Sequence, residues 1–217
     1  MGQVVTIDGP AASGKTSVSR ELAKRLGWSW VSTGAFYRGL AYVAHSTATT
    51  LHDEEALAKL AVDKMWQVKM AHDHTRVFLN GKDVTDEISQ EHVGGIASQI
   101  SHFPKVRAAL LQAQRECQKN SSGLVAEGRD CGTVVFPDAA VKIYLTARQE
   151  DRAERRAKDL GLSVAETVKA QVQRDQQDSS RKAAPMKVPE HALVVDTTEL
   201  DFKQVVGLIE DHVKRII

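Results

Sequence analysis

Apolar residues along this chain recur with two periods, and the points where the period changes divide it into elements. Val4, Val5, Thr6 and Ile7 form a short β-branched run of the kind a buried parallel strand needs. Val18, Leu22 and Leu26 then repeat at helical spacing, with Gly27 as a stop. Trp28, Trp30 and Val31 predict a second strand that ends at Ser32-Thr33-Gly34, and a helix begins at about Ala35 with Leu40, Val43 and Ala44 on its apolar face. A short helical pattern covers 53–62. Beyond it Trp66, Val68 and Met70 alternate with Gln67 and Lys69, Val77 and Leu79 follow a polar turn holding His72 and His74, and Asn80-Gly81 marks a tight hairpin before Val84. The spacing predicts a small antiparallel meander over 64–88. Such an insertion either covers a substrate or is a rigid decoration.

Helical spacing resumes from about Ser89 through Ile96 and Ile100, and again from Pro104, read as a first helical residue, through Val106, Leu110 and Ala113. Leu124, Val125 and Ala126 predict a second buried strand, and Val141, Ile143, Tyr144 and Leu145 a further one. A highly charged helix over 148–160 ends at Gly161, and a second helix carries Val164, Val168 and Val172 on one stripe. Leu193 to Val195 gives a last strand, and Val205, Leu208, Ile209 and Val213 a last helix. The expected fold is α/β: one domain over 1–217 with a central parallel sheet flanked by helices, a small antiparallel insertion at 64–88 and a helical lid at 148–182.

Composition narrows the class without naming a function. With 217 residues, 42% of them hydrophobic, the chain can bury a full α/β core, and a net charge of +1 argues against a dedicated nucleic-acid or membrane-surface protein. No apolar run is long enough to span a bilayer and the N-terminus enters a strand at once, so a cytoplasmic monomer with neither nucleic-acid nor membrane partner is expected. Cys117 and Cys131 lack metal-site spacing and are expected to be free thiols. His72 and His74, with no third ligand nearby, read as loop residues.

The chemistry lies between the first strand and the first helix. Gly9-Pro10-Ala11-Ala12-Ser13-Gly14-Lys15-Thr16 fits G-x-x-x-x-G-K-[ST], a loop whose N–H groups point at phosphate oxygens beside a helix N-terminus. Lys15 is expected to reach the outer phosphates of ATP and the Thr16 hydroxyl to bind Mg²⁺, so Gly9 to Ser17 are the candidate donor residues, with Ser13 and Ser17 the weaker ones. Glu127-Gly128-Arg129-Asp130 closes a buried strand; charge there is costly unless it is used, as a site or as a structural ion pair. Thr33 caps the next helix or, with Arg38, sits at the ligand-binding rim of the sheet; spacing leaves both open. Arg148, Arg152 and Arg156 share one helix face with Arg155 beside them, and Arg174, Asp178 and Arg181 project from the next helix, so the pair reads as a solvated, salt-bridged surface or as a mobile lid. A phosphate loop combined with positioned cations points to phosphoryl transfer, in which cations carry most of the catalysis.

The chain resembles the bacterial cytidylate kinases, a branch of the nucleoside monophosphate kinases, along nearly its whole length. VTIDGPAASGKT, STGAFYR, IASQISHFPKVR, EGRDCGTVVFPDA and QRDQQDSSRKAAP carry the resemblance. It implies transfer of the γ-phosphate of ATP to CMP and dCMP, with Lys15, Arg129 and Arg181 as catalytic cations. By the same resemblance Thr33, Arg38 and Arg129 lie on the CMP side, Ser98, Arg107 and Asp130 read cytosine, Arg174 and Asp178 hold the ribose, and Arg181 contacts phosphate. The meander would close over the base, and the helix bearing Arg148, Arg152, Arg155 and Arg156 over ATP. A carboxylate at Asp130 suits the exocyclic amine of cytosine and opposes the carbonyl of uracil. Thr33 replaces a frequent serine, Cys131 an aliphatic residue or methionine, and Gln177 and Ser179 replace charges. The acidic partner of Mg²⁺ is Asp8 or Glu127, with no motif to decide between them. The Ser98, Arg107 and Asp130 set argues against UMP, AMP or shikimate as acceptor, and no Asn-Lys-x-Asp motif supports a GTPase switch.

Overall fold

The structure, a computed structural model, describes the chain apart from Met1, Ala71, His72, Asn120 and Leu162 and the side chains of Asp159, Leu160, Glu166, Ala170 and Arg174. His72 therefore lies outside the described residues. Five parallel strands form the central sheet in the order β2-β6-β1-β7-β8: β1 (Gln3–Asp8), β2 (Ser29–Ser32), β6 (Gly123–Gly128), β7 (Val141–Thr146) and β8 (Leu193–Asp196). The three centremost strands hold the β-branched and aliphatic runs that a sheet buried on both faces requires. Ile7, Leu124 and Ile143 are fully buried.

Helices cover both faces. Val5, Ile7 and Val125 pack with Val18 and Leu22 of α1 (Lys15–Leu26) and with Val206 and Ile209 of α9 (Phe202–Ile216). Val4, Val31 and Leu124 pack on the other face with Leu40 of α2 (Gly34–Ser46), Leu57 of α3 (Glu54–Ala61), Ile100 of α5 (Glu91–Ile100) and Leu110 of α6 (Pro104–Glu116). Pro104 opens α6, where its missing N–H costs nothing. Among the described residues no helix is long and apolar enough to cross a membrane.

The insertion is a three-stranded antiparallel sheet, β3 (Trp66–Met70), β4 (Thr75–Leu79) and β5 (Lys82–Asp83). It is shorter than the 64–88 expected from alternation, because the chain turns into a one-turn helix, α4 (Thr85–Ser89), directly after β5. The Asp83 carboxylate accepts from both the N–H and the hydroxyl of Thr85, which diverts the backbone from extended pairing. The small sheet docks on α2 at Gly39, where an added Cβ would come within 2.8 Å of the Trp66 ring. Thr75 ties it to the edge of the main sheet, its hydroxyl accepting from the Ser32 N–H at 2.9 Å.

The charged helices are α7 (Gln149–Leu160) and α8 (Val164–Ser180). Arg181 was expected on the α8 face with Arg174 and Asp178, but α8 ends at Ser180 and Arg181 lies just beyond it. There its guanidinium turns back to donate to the Asp178 carbonyl at 3.3 Å.

Candidate active site

The site follows from strand register. Asp8 pairs with Gly128 across β1 and β6, and Ser32 with Glu127 across β2 and β6, so three parallel strands end level with one another. Their C-terminal ends are where ligands of open α/β sheets bind. A cleft of about 540 Å³ opens there, within the range of small-molecule sites, and its walls include Lys15 and Thr16 together with Arg38, Ser98, Asp130 and Arg181.

The phosphate loop runs from β1 into α1. Gly9 has φ 145°, and a Cβ there would lie 2.0 Å from the Leu145 carbonyl oxygen, so only glycine lets β1 and β7 flank the loop so closely. Lys15 is buried at its centre, donating to the Pro10 carbonyl at 2.5 Å. Burial pushes its ammonium down to about 7, and the Arg129 charge adds to this. Of the nine expected donor residues, Ala11, Ala12, Lys15 and Thr16 line the cleft; Gly9, Pro10, Ser13 and Gly14 build the loop behind them, and Ser17 faces solvent.

The two acidic residues near Thr16 differ in their contacts. Glu127 Oε1 accepts from the Thr16 hydroxyl at 3.3 Å and from the Ser32 hydroxyl at 2.5 Å. Asp8 is fully buried with both oxygens engaged, Oδ1 by the Cys131 N–H at 2.8 Å and Oδ2 by the Gly132 N–H at 2.7 Å. Asp8 thus anchors a π-helical turn, Cys131–Val135, which the sequence pattern did not reveal, and does not face Thr16. Burial raises Asp8 to about 6 even though the two amides oppose the shift.

At the other end of the cleft Asp130 is almost fully buried and paired with Arg107, which also donates to the Ser101 carbonyl. Arg107 lies over the Tyr37 ring at 5.4 Å, and burial pushes the Tyr37 phenol up to about 12, so the ring is a neutral shelf for the guanidinium. Burial likewise raises Asp130, against the pull of Arg107 and Arg181. Arg129 bridges the loop and α8, with Nη1 on the Gly9 carbonyl at 3.1 Å and Nε on Asp178 at 2.9 Å. Arg181 donates to the Ser101 hydroxyl at 3.3 Å, while its buried Nη2 has no partner. An unpaired donor of that kind beside a cleft suits an incoming anion.

Other sequence-based candidates separate by position. Arg38 donates to the Ile88 and Gln90 carbonyls and lines the cleft. Ser98 also lines it, its hydroxyl 3.1 Å from Gln177 Oε1. Thr33 makes no helix-capping bond; its hydroxyl donates to the Glu127 carbonyl at 3.0 Å and lies 3.4 Å from the Cys131 sulfur. Cys131 is fully buried and burial pushes its thiol well up, so it is an inert packing group. The Arg174 side chain lies outside the described residues. Arg152 alone of the α7 arginines reaches the phosphate loop, donating to the Ala11 carbonyl at 3.0 Å and to Asp175 at 2.6 Å. Arg156 lines the cleft and pairs with Glu91. Arg148 pairs with Asp151 and Glu199, and Arg155 bonds Thr197, both away from the cleft.

Sequence reasoning did not single out Ser32, Tyr37 or Asp175 as site residues. Ser32 and Tyr37 flank the Thr33 and Arg38 it did select, and Asp175 lies three residues before Asp178 on the same face of α8.

With that geometry in place, comparison with known proteins settles the family. The cytidylate kinase profile matches residues 5–215. The chain belongs to the cytidylate kinase family. It is 62% identical to a cytidylate kinase of Bdellovibrio bacteriovorus over 217 residues, covering 100% of both chains. It is 46% identical to a cytidylate kinase of Pseudomonas fluorescens, covering 97% of this chain and 94% of that one. Among solved structures, an uncharacterised protein from Eubacterium ventriosum shares the fold at a TM-score of 0.56 with 10% identity over 98% of both chains. A gluconokinase from Sinorhizobium meliloti shares it at 0.50 with 14% identity, over 99% of this chain and 92% of that one.

Proposed function

We infer that the chain transfers the γ-phosphate of ATP to CMP and dCMP, giving ADP and CDP or dCDP. The observation that carries this reading is a single cleft with the phosphate loop at one end and the buried Asp130 carboxylate, backed by Arg107, at the other. Lys15 neutralises charge on the donor phosphates, and Arg129 and Arg181 do so on the acceptor and on the group in flight. Because the attacking oxygen belongs to a phosphate that is already anionic at neutral pH, no side chain has to remove a proton. Asp130 accepts from the cytosine amino group, with Ser98 beside it, and Asp178 and Arg174 hold the ribose. The insertion at 64–88 covers the acceptor and the helices at 148–182 close over the donor.

Mg²⁺ fits the donor end. The Thr16 hydroxyl and the Glu127 carboxylate supply the hard oxygens such an ion takes alongside substrate phosphates and water. Bound there, it would neutralise charge on the donor phosphates. Glu127→Gln is expected to raise the Mg²⁺ concentration for half-maximal rate by about tenfold or more, through loss of the carboxylate charge at the ion or at the Thr16 hydroxyl that holds it. A titration of rate and of ATP binding against Mg²⁺ checks this, and an unchanged midpoint would remove Glu127 from the metal site.

The transfer itself is tested by following ADP release from ATP with CMP, with dCMP and with no acceptor. Release that depends on acceptor, matched one for one by diphosphate product, is expected. Equal release without acceptor would make the chain an ATPase.

A further inference from the structure

We propose that Asp175 is an internal occupant of the donor-phosphate cradle, holding the groups that a phosphate of ATP must take over and leaving when that phosphate enters. The identity of the ligand rests on the kinase reading above; the contact does not. Asp175 Oδ1 accepts from the Ala11 N–H of the phosphate loop at 3.2 Å, and Oδ2 accepts from Arg152 Nη1 at 2.6 Å. The same Arg152 nitrogen donates to the Ala11 carbonyl at 3.0 Å, so a carboxylate and an arginine hold the N–H and the C=O of one loop residue. The field of Asp175 also reaches Lys15 and Arg129. One carboxylate thus holds an arginine and a loop amide beside two further cations, which is the environment a phosphate oxygen seeks.

A phosphate and a carboxylate cannot share these donors. They are like-charged, and the phosphate brings more charge and more acceptor oxygens, so it displaces Asp175 and loses affinity in doing so. The position of Asp175 extends the consequence. It lies three residues before Asp178, whose carboxylate takes Arg129, so α8 is tied to the phosphate loop at Ala11 by Asp175 and at Gly9 by Asp178 through Arg129. Entry of the donor therefore frees the Asp175 contact and leaves that of Asp178.

The rival role for Asp175 is to position Arg152, and the two differ in sign. Asp175→Asn keeps the side-chain size and one acceptor oxygen but removes the charge. For an internal occupant, isothermal titration at fixed ionic strength should give a Kd for MgATP, and for inorganic tripolyphosphate, lower than wild type by on the order of tenfold. The Kd for CMP should change by less than about twofold, since the acceptor contacts are untouched. Asp175→Ala, checked for folding by circular dichroism, is the second variant. Tightening in either folded variant supports the proposal, and unchanged or weaker phosphate binding in both overturns it. If the wild-type protein shows no acceptor-dependent ADP release, the kinase reading fails, and the tripolyphosphate titration still judges the contact.

Discussion

Replacing Lys15 by methionine is expected to lower the rate of phosphoryl transfer by on the order of 10³ while leaving the protein at least as stable near pH 6. Lys15 is the cation at the centre of the phosphate loop, and it is buried against a carbonyl with Arg129 nearby. Burial holds its pKa at about 7, well below the 10.5 of a free lysine. Between those values the unfolded chain binds more protons than the folded one, so stability rises as pH climbs from about 7 to about 10.5. Below about 7 the full penalty of keeping a buried ammonium charged is present. Methionine removes both that penalty and that rise. Urea denaturation at pH 6 and pH 9, alongside initial rates, reads both effects. A variant that kept a tenth of wild-type activity, or lost stability at pH 6, would contradict the role given to Lys15.

Asp130→Asn is the second large effect. The carboxylate is almost fully buried, paired with Arg107, and held on a turn that Asp8 anchors. Asparagine keeps the shape but leaves the buried Arg107 charge uncompensated, which should cost about 3 kcal/mol of stability. It also presents an amide where cytosine offers an amino group. The expected result is a drop of about 10² to 10³ in kcat/KM for CMP, with the Kd for MgATP unchanged. Steady-state kinetics with CMP as the varied substrate, paired with ATP titration, separates the two ends of the cleft. Full CMP turnover in a folded variant would remove Asp130 from base recognition.

Much of this organisation is legible in the chain itself. The phosphate loop announces itself because its glycines, lysine and hydroxyl are local in sequence, and the strand and helix around it carry clear periods. The main sheet follows from apolar runs too uniform to be half-exposed. What spacing could not give was the outcome of competition between partners far apart in sequence. Asp8 and Glu127 looked alike as acidic neighbours of the loop, and only the register of β1, β2 and β6 turns Glu127 toward Thr16 while the turn after Asp130 claims both oxygens of Asp8. Spacing left Thr33 open between a helix cap and the rim of the sheet; its hydroxyl makes no capping bond and donates to the Glu127 carbonyl at the end of β6. Arg148, Arg152 and Arg156 shared a face in projection, but Arg148 stands at the N-cap position just outside α7 and turns to the loop before α9, while Arg152 reaches the phosphate loop. The π-helical turn had no signature at all, since it depends on a carboxylate more than 100 residues earlier in the chain.

The central claim is that one cleft joins a phosphate loop to a site that selects cytosine. Its most direct test is the ratio of kcat/KM for CMP over UMP, measured with ATP and Mg²⁺ at neutral pH. A buried carboxylate facing the base predicts a large preference for CMP, up to about 10⁴. Equal use of UMP would contradict the assignment of Asp130 and leave only the phosphate chemistry of the loop standing.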